Sequence, residues 1–410
     1  MQSTPDDLRP LDERDIDVWR LYWGEVANRL RTAFARSEPR DGAMAYLGGL
    51  LSPAERKNGW QLAEINGDPN PYRVQHLLSR ADWDPDDLRD RLRRYVLDYL
   101  GDPAAIGVLD ETGFLKKGTH SVGVARQYSG TAGRVENCQI GVFLTYASVH
   151  GHTLLDRELY LPTAWTDDPA RCQQAGVPVD RSFATKPELA RQILERTFAA
   201  GVTFAAIAGD SVYGDDRALR QWLEARSQPY VLAISRTEHL WLGHESWSLA
   251  DLYARLASGP WERLSCGAGS QGPRWYDWQR VPLNDPGQPG GRRWVVVRRS
   301  CTDPTEVSAY RAYGPEDMTL AAQVQVVGTR WTVEESIQTG KSEVGLDEYE
   351  VRRWTGWYRH ITLALWAQAF LSVIRHQEGA AAAPKKGGLP AAASGSLTTF
   401  KARRGLLRCG

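Results

Sequence analysis

Three acidic residues stand at positions from which they could act together in catalysis. Asp110 ends the apolar run AAIGVLD (104–110), and Asp210 ends a second one, VTFAAIAGD (202–210). Both runs are typical of buried strands, and carboxylates at strand ends in an α/β sheet point into the crevice where ligands bind. Glu334 would add a third carboxylate from a helix. For either aspartate alone a turn-starting role is the stronger explanation; their occurrence together favours catalysis.

Clustered carboxylates of this kind point to a metal site. Three negative charges in one crevice repel one another, so they need divalent cations. Hard oxygen ligands suit Mg²⁺, for which Mn²⁺ could substitute. Two such ions about 4 Å apart can bind the attacking and leaving oxygens of a phosphoryl transfer. The sequence therefore predicts Asp110, Asp210 and Glu334 as catalytic residues and metal ligands.

The stretch RWTVEESIQTGK (330–341) carries Glu334 together with two basic residues. Arg330, Glu334 and Lys341 stand at i, i+4 and i+11, which places them near one face of a helix. A solvent-exposed face with an ion pair is the ordinary explanation of such spacing. The alternative is a metal ligand flanked by two groups that bind phosphate, since an arginine fork matches phosphate oxygens and lysine adds a point charge.

The order of the predicted elements places these residues in an α/β fold. Short apolar or alternating runs predict strands, and longer runs with helical periodicity predict helices. The strands are expected at 104–110, 120–129, 139–149, 154–162, 202–210 and 229–235, with helices at 186–201 and 215–227. Consecutive strands followed by helix, strand, helix and strand match a ribonuclease H-like core. Ser52-Pro53 predicts the start of an earlier helix, over 50–65.

Composition limits the classes of protein that this chain can be. Its 410 residues predict more than one domain, and its net charge of zero means that any DNA binding must depend on local patches. The five cysteines include no C-x-x-C pair, which argues against a structural zinc site. The first residues are polar and acidic, unlike a signal peptide, and the apolar run 361–374 is too short to cross a bilayer. We expect a cytoplasmic, nucleoid-associated bacterial protein with no membrane contact.

Five segments are predicted from changes in pattern along the chain. The stretch 236–328 is rich in Gly, Pro and Trp and has strand-like pieces, which predicts a mostly-β insertion. Helical periodicity resumes at Arg330 and continues to about Gln377. The predicted segments are an N-terminal helical domain that could bind DNA (1–103), the first part of the core (104–235), the insertion (236–328), the helical part of the core with Glu334 (329–377), and a flexible basic tail (378–410).

Three segments resemble one known family. They are DETGFLKKGTHSVGVARQYSGTAGRVENCQIGVFL (110–144), AGDSVYGDD (208–216) and RWTVEESIQTGKSEVGLDEYEVRRWTGWYRHITLAL (330–365). Their order is similar to that in DDE transposases of bacterial insertion sequences, in particular the hairpin-forming branch with a β insertion and a Y-(2)-R-(3)-E-(6)-K signature. The resemblance covers roughly residues 15–377.

The resemblance implies roles for individual residues. Asp110, Asp210 and Glu334 match the catalytic acids, and Arg330 and Lys341 match the basic residues that hold the DNA backbone. It implies an Mg²⁺-dependent enzyme that cuts transposon ends, joins 3′-hydroxyls to target DNA through a hairpin intermediate, and works as a homodimer on double-stranded DNA. Val327 stands where the signature has tyrosine, so the tyrosine's contact with DNA is missing or comes from another residue.

Several alternatives remain open at this stage. The chain could be a catalytically inactive, transposase-derived DNA-binding protein, or a nuclease of the same fold that does not join strands. Lys116 and Lys117 could meet phosphate or form an ordinary basic turn. One or more tryptophans of the insertion could stack on a flipped base or simply form its core; the candidates are Trp241, Trp247, Trp261, Trp275, Trp278 and Trp294.

Overall fold

The computed structural model describes residues 13–382 with the exception of 131, 243, 270–271 and 284–290. Most of the Gly- and Pro-rich stretch 284–291, which belongs to the predicted insertion, lies outside the described residues, as does the predicted tail from 383 onward.

From residue 13 onward, where the described part of the chain begins, five helices precede the first strand. They are α1 (Glu13–Arg31), α2 (Ser37–Leu51), α3 (Gly59–Ile65), α4 (Tyr72–Ser79) and α5 (Pro85–Leu100). The helix start predicted at Ser52-Pro53 is wrong. The Ser52 hydroxyl donates to the Gly49 carbonyl at 2.6 Å and so closes the end of α2, whereas Asn58 caps the next helix by accepting from the backbone of Trp60 and Gln61.

The predicted core forms a mixed sheet with helices between its later strands. The elements are β1 (Ile106–Leu115), β2 (Ala125–Ser129), β3 (Arg134–Ser148), β4 (Gly151–Tyr160), α6 (Thr163–Thr166), α7 (Pro169–Ala175), α8 (Lys186–Ala199), β5 (Ala206–Gly209), α9 (Ser211–Gly214), α10 (Arg217–Glu224) and β6 (Tyr230–Ile234). Strand β3 pairs antiparallel with β1, β2 and β4, while β5 lies parallel to both β1 and β6. This arrangement is consistent with a ribonuclease H-like core.

The next stretch continues the same sheet. It comprises β7 (His239–Leu242), β8 (Glu245–Ser248), α11 (Leu249–Leu256), β9 (Glu262–Gly269), β10 (Gly272–Pro282), β11 (Arg292–Ser300), β12 (Val307–Gly314) and α12 (Leu320–Thr329). Strand β12 pairs antiparallel with β6, and β11, β10 and β9 follow outward to complete a 10-stranded sheet; β7 and β8 form a separate pair. The domain boundaries of this stretch, predicted at 236 and 328, stay a prediction.

Two helices complete the described chain, α13 (Trp331–Val344) and α14 (Trp354–Ala382). The helical run expected from Arg330 to Gln377 is interrupted, because α13 ends at Gly345, whose φ of +64° is left-handed and favours glycine. In α14, Ile361, Leu365 and Trp366 are completely buried, which confirms a core helix. Among the described helices, we find none with the length and apolar character needed to cross a membrane.

A buried ionic network ties the first helices to the sheet. Asp156 of β4 is fully buried and accepts hydrogen bonds from Arg93 of α5 at 3.0 Å and from Arg196 of α8 at 2.6 Å. Burial by itself would raise the pKa of Asp156, but the neighbouring arginines, Arg196 first, hold it well below its usual range. The carboxylate is therefore the common acceptor for basic side chains from two helices.

Replacement of Asp156 tests the importance of this network. We expect Asp156→Asn to lower the free energy of unfolding by about 3–5 kcal/mol at neutral pH, because buried arginines lose their counter-charge. The midpoint of thermal or urea unfolding measures the change. The control is Asp17→Asn, which removes an exposed pair with Arg20 at 3.6 Å; equal midpoints for the two variants would contradict the network's role.

Candidate active site

The pairing of β1 with β5 brings the two predicted aspartates side by side. The strands run parallel, and their last paired residues are Leu109 and Gly209. Asp110 and Asp210 come directly after that pair, and neighbouring strands lie about 4.8 Å apart. The two carboxylates therefore lie side by side. Asp210 directly follows β5, whereas β1 continues for five residues beyond Asp110 to Leu115, so the strand end predicted at Asp110 is wrong.

Side-chain alternation also decides the face on which these carboxylates lie. Successive residues of a strand point to opposite faces. Val108 and Ala208, each two residues before an aspartate, belong to one buried cluster with Val327 of α12 and Val333 of α13. Asp110 and Asp210 thus lie on the face of the sheet that α12 and α13 cover, which is the side from which Arg330 and Glu334 come.

The surroundings of Asp110 disfavour its charged form. Burial, followed by the negative charges of Asp210 and Glu111, raises the pKa of Asp110 to about 7. The Glu111 backbone N–H donates to Asp110 Oδ1 at 2.8 Å, and the charge of Arg330 acts in the same direction; both lower the pKa. The net rise is what an incompletely neutralised pair of carboxylates produces.

Asp210 is held by the start of a short helix. Its Oδ1 accepts from the backbone N–H of Val212 at 3.0 Å, which caps α9. Gly214 lets this helix lie against β6, because a Cβ there would come within 1.7 Å of the Ala233 carbonyl oxygen. Burial, then Glu111, raises the pKa of Asp210 to about 6, while Arg330 and Lys186 oppose that rise.

Glu111 is a residue of the site region that the sequence analysis did not single out. By alternation it points to the face opposite Asp110, where its carboxylate accepts from Lys186 Nζ at 2.6 Å and from the Tyr213 hydroxyl at 2.8 Å. These contacts tie β1 to the first residue of α8 and to α9. Its position next to Asp110 is the signal that could have identified it.

Arg330 and Glu334 form an ion pair next to the aspartates. Arg330 lies between α12 and α13 in helical conformation, so the spacing predicted from the sequence is preserved. Its Nη2 lies 2.9 Å from Glu334 Oε1, and the Glu334 side chain is 41% exposed. The positive charge of Arg330 lowers the pKa of both Asp110 and Asp210. Arg330 therefore pairs with Glu334 and also favours the charged forms of the two aspartates.

Lys341 contacts the strand that bears Asp110. Its Nζ donates to the Gly113 carbonyl at 3.0 Å and lies 5.6 Å from the centroid of the Phe114 ring. Burial lowers the pKa of Lys341. The lysine thus connects α13 to β1 at a point just beyond the predicted site.

The donor chemistry of the two aspartates fits a divalent cation. They are hard oxygen donors from adjacent strands, and burial, together with the neighbouring acids, raises the pKa of both, so that a bound cation would favour their charged forms. In the described ranges, however, no three His, Cys, Asp or Glu side chains are arranged to hold a metal ion. Glu334 could complete a ligand set only by leaving Arg330, with which it is paired.

The structure separates the aromatic and basic candidates by burial. Trp278 and Trp294 are 0% and 3% exposed and form core, whereas Trp241 and Trp275 are 60% and 52% exposed. Arginines cover Trp247 and Trp261, which are half-buried. Trp331 is 49% exposed. It is not among the tryptophans singled out from the sequence, although its position directly after Arg330 could have identified it.

The adjacent lysines Lys116 and Lys117 also differ in burial. The Nζ of Lys116 lies 3.4 Å from the centroid of the Tyr349 ring and donates to the Tyr349 carbonyl, and burial lowers its pKa to about 8. Lys117 is exposed. Only Lys117 of this pair is therefore placed to meet a ligand at the surface.

The electrostatics of Asp110 predict an effect of pH on stability in metal-free buffer. A raised folded-state pKa favours the native state below the unfolded pKa of about 3.9, and that contribution is lost as the pH rises toward 7. We expect Asp110→Asn to be more stable than wild type at pH 8, on the order of 1 kcal/mol, with a smaller gain at pH 4. Thermal unfolding in EDTA measures this difference. Asp180→Asn, at an exposed site, should give no such pH-dependent gain; a destabilised Asp110→Asn at pH 8 would contradict the account.

Comparisons with known proteins support the same interpretation. The family model for the DDE superfamily endonuclease matches residues 29–272, more than half of the chain, and the match includes Asp110 and Asp210 but ends before Glu334. The chain is also 31% identical over 193 residues to a protein of Microchaete diplosiphon described as a probable transposase for insertion sequence element IS701. The aligned region is 47% of each chain, so this protein spans about half the length of that relative. From the family match, the chain belongs to the DDE superfamily endonucleases.

Proposed function

We propose that this protein is a DNA transposase of the IS701 type that cuts the ends of its element and joins the 3′-hydroxyls to target DNA. The observation that carries the proposal is the pair of neighbouring carboxylates from β1 and from the end of β5, both with raised pKa values, in a chain of the DDE endonuclease superfamily. Similarity to a probable insertion-sequence transposase supports transposition over simple cleavage.

The proposed catalytic residues are Asp110, Asp210 and Glu334, which would hold Mg²⁺, with Mn²⁺ as a substitute. Bound divalent cations would supply an activated hydroxyl nucleophile and neutralise charge on the leaving oxygen. The role of the protein is to set the three carboxylates on one face of the sheet. Two of them leave neighbouring strands there, and the third belongs to a helix that covers the same face.

Arg330 could bind either the Glu334 carboxylate or a DNA phosphate. Its guanidinium now binds the Glu334 carboxylate, and a DNA phosphate would offer equivalent anionic oxygens. We propose that Arg330 exchanges Glu334 for a backbone phosphate, which frees Glu334 to join Asp110 and Asp210. Lys341, on the same helix and beside β1, would add a second contact to the DNA backbone.

We also propose that the reaction passes through a hairpin intermediate and that the protein acts as a homodimer on paired ends. The exposed tryptophans Trp241, Trp275 and Trp331 are the candidates for stacking on an unpaired base, because buried rings present no free face. Val327 is 8% exposed in α12 and packs in the core, so another residue would have to make the contact of the signature tyrosine.

The role of Glu334 can be tested with labelled duplexes that carry the element's own ends. We expect wild type to cut at the end in Mg²⁺ but not in EDTA, and Glu334→Gln to bind the duplex while losing cleavage by a factor of about 100 or more, because one metal ligand is gone. Denaturing gels resolve the products. Glu348→Gln is a matched control, since its carboxylate accepts from the Lys57 backbone N–H away from Arg330.

The same gels distinguish the alternative functions. Joined strands appear with 3′-hydroxyl ends and disappear with 3′-dideoxy ends if the enzyme is a transposase. Cleavage without joining would indicate a nuclease. Specific binding without cleavage in either Mg²⁺ or Mn²⁺ would contradict the enzymatic proposal and leave a DNA-binding protein with unused acids.

A further inference from the structure

A two-stranded β ribbon extends from the sheet at the end of β1. It consists of β2 (Ala125–Ser129) paired with the first part of β3, residues 134–138. Strand β1 pairs with β3 only as far as Leu115 opposite Cys138. Beyond that point β2 is the one recorded partner of β3 within the described residues. The ribbon therefore begins where the strand that carries Asp110 ends.

The outer face of this ribbon exposes large side chains. Tyr128 and Val135 are a directly opposed cross-strand pair, so they lie on the same face. Their exposed fractions are 62% and 51%. Arg126, two residues before Tyr128, is exposed on that face as well. An aromatic ring and an aliphatic side chain left open together at a protruding edge indicate a contact surface rather than core.

The charge of this surface is positive. Between residues 112 and 148 the chain has four Lys or Arg residues and one acid, Glu136. Glu136 is already paired with Arg134 at 2.7 Å. Within the described residues, neither Arg126 nor Lys117 has a recorded ion-pair partner, and both are exposed. The ribbon thus offers basic groups and an aromatic ring, with no unpaired carboxylate of its own to repel a phosphate backbone.

The turn that joins β2 to β3 contains two glycines, Gly130 and Gly133, whose lack of side chains keeps the tip of the ribbon narrow. Its turn closes through the Gly133 N–H, which donates to the Ser129 carbonyl at 2.9 Å. Gly133 has a φ of +65°, and nothing lies within 4 Å of the place that a Cβ would take at Gly130 or Gly133. A two-stranded ribbon of this kind fits within the major groove of B-form DNA.

We propose that the β ribbon contacts the duplex that is being cut, lying in the major groove at roughly 26 Å from the scissile phosphate, because Val135 lies eight strand residues from Phe143, the partner of Asp110. Arg126 and Lys117 bind phosphates, and Tyr128 with Val135 contacts groove edges. This inference rests on the proposed function, because it assumes that duplex DNA occupies the site at Asp110. It adds a surface that would position the DNA without touching the reacting atoms.

The first test is the dependence of binding on salt. The probe is a fluorescent duplex that carries one end of the element, held in EDTA so that no cleavage occurs. Each lost phosphate contact reduces the slope of log K against log salt by about 0.9. We expect Arg126→Ala to show a slope smaller by about one contact. The control is Arg226→Ala, which removes an exposed arginine that stacks on Trp222 at 4.0 Å, and it should leave the slope unchanged.

The second test locates the contact directly. We expect Tyr128→Cys to form a disulfide with a duplex that carries a thiol tethered to a major-groove base edge about eight base pairs from the cut, whereas Arg226→Cys and wild type, with its own cysteines, do not. Circular dichroism checks that each variant is folded.

The outcomes separate this inference from the proposed function. If wild type does not bind the end duplex, the proposed function fails. If wild type binds, three results would overturn the ribbon proposal alone. The first is a salt slope for Arg126→Ala equal to that of wild type, and the second is an equal decrease of the slope in Arg126→Ala and Arg226→Ala. The third is a Tyr128→Cys crosslink no stronger than that of the Arg226→Cys control. Faster sedimentation of wild type than of Tyr128→Ala without DNA would also overturn it, since a second copy would then cover the ribbon.

Discussion

The parallel pairing of β1 with β5 is the constraint on which the rest of the site depends. Strand β5 has only four residues, and its side chains alternate between two cores: Ile207 belongs to one buried cluster, and Ala206 and Ala208 to the other. A slip of one residue would move the large Ile207 side chain into the cluster where the small Ala206 and Ala208 pack, and would leave alanine in the place of Ile207. The hydrophobic cores therefore fix the register, and the register fixes Asp110 beside Asp210.

This position has an electrostatic cost that the protein offsets only in part. Arg330 lowers the pKa of both aspartates, yet those pKa values remain raised to about 7 and about 6. Arg330 also binds Glu334, so a single guanidinium serves three acids. Such a site is poised to take up cations, and DNA phosphates would compete for the same arginine. Under the proposed function, binding of DNA and assembly of the carboxylates would be coupled through this one side chain.

The two aspartates could be predicted from sequence because the signal is local. A short apolar run precedes each aspartate, although only Asp210 follows the end of its strand. The helical spacing of Arg330, Glu334 and Lys341 is likewise readable within one stretch. Long-range pairing could not be read in this way. Nothing local indicates that β12 would pair with β6 and continue the sheet. The end of α13 at Gly345 could not be predicted because apolar periodicity resumes after it. The spacing of Arg330 and Glu334 agrees with its ordinary explanation, an ion pair on one helix face.

Mn²⁺ titration followed by electron paramagnetic resonance shows whether Asp110 of β1 and Asp210, directly after β5, bind a divalent cation. We expect saturable binding to the 410-residue chain at pH 8. Binding should weaken as the pH falls below 7, where Asp110 and Asp210 take up protons, and Asp210→Asn, which retains an oxygen to cap α9, should abolish it. Binding by Asp210→Asn equal to that of wild type, with no dependence on pH in this range, would contradict the account.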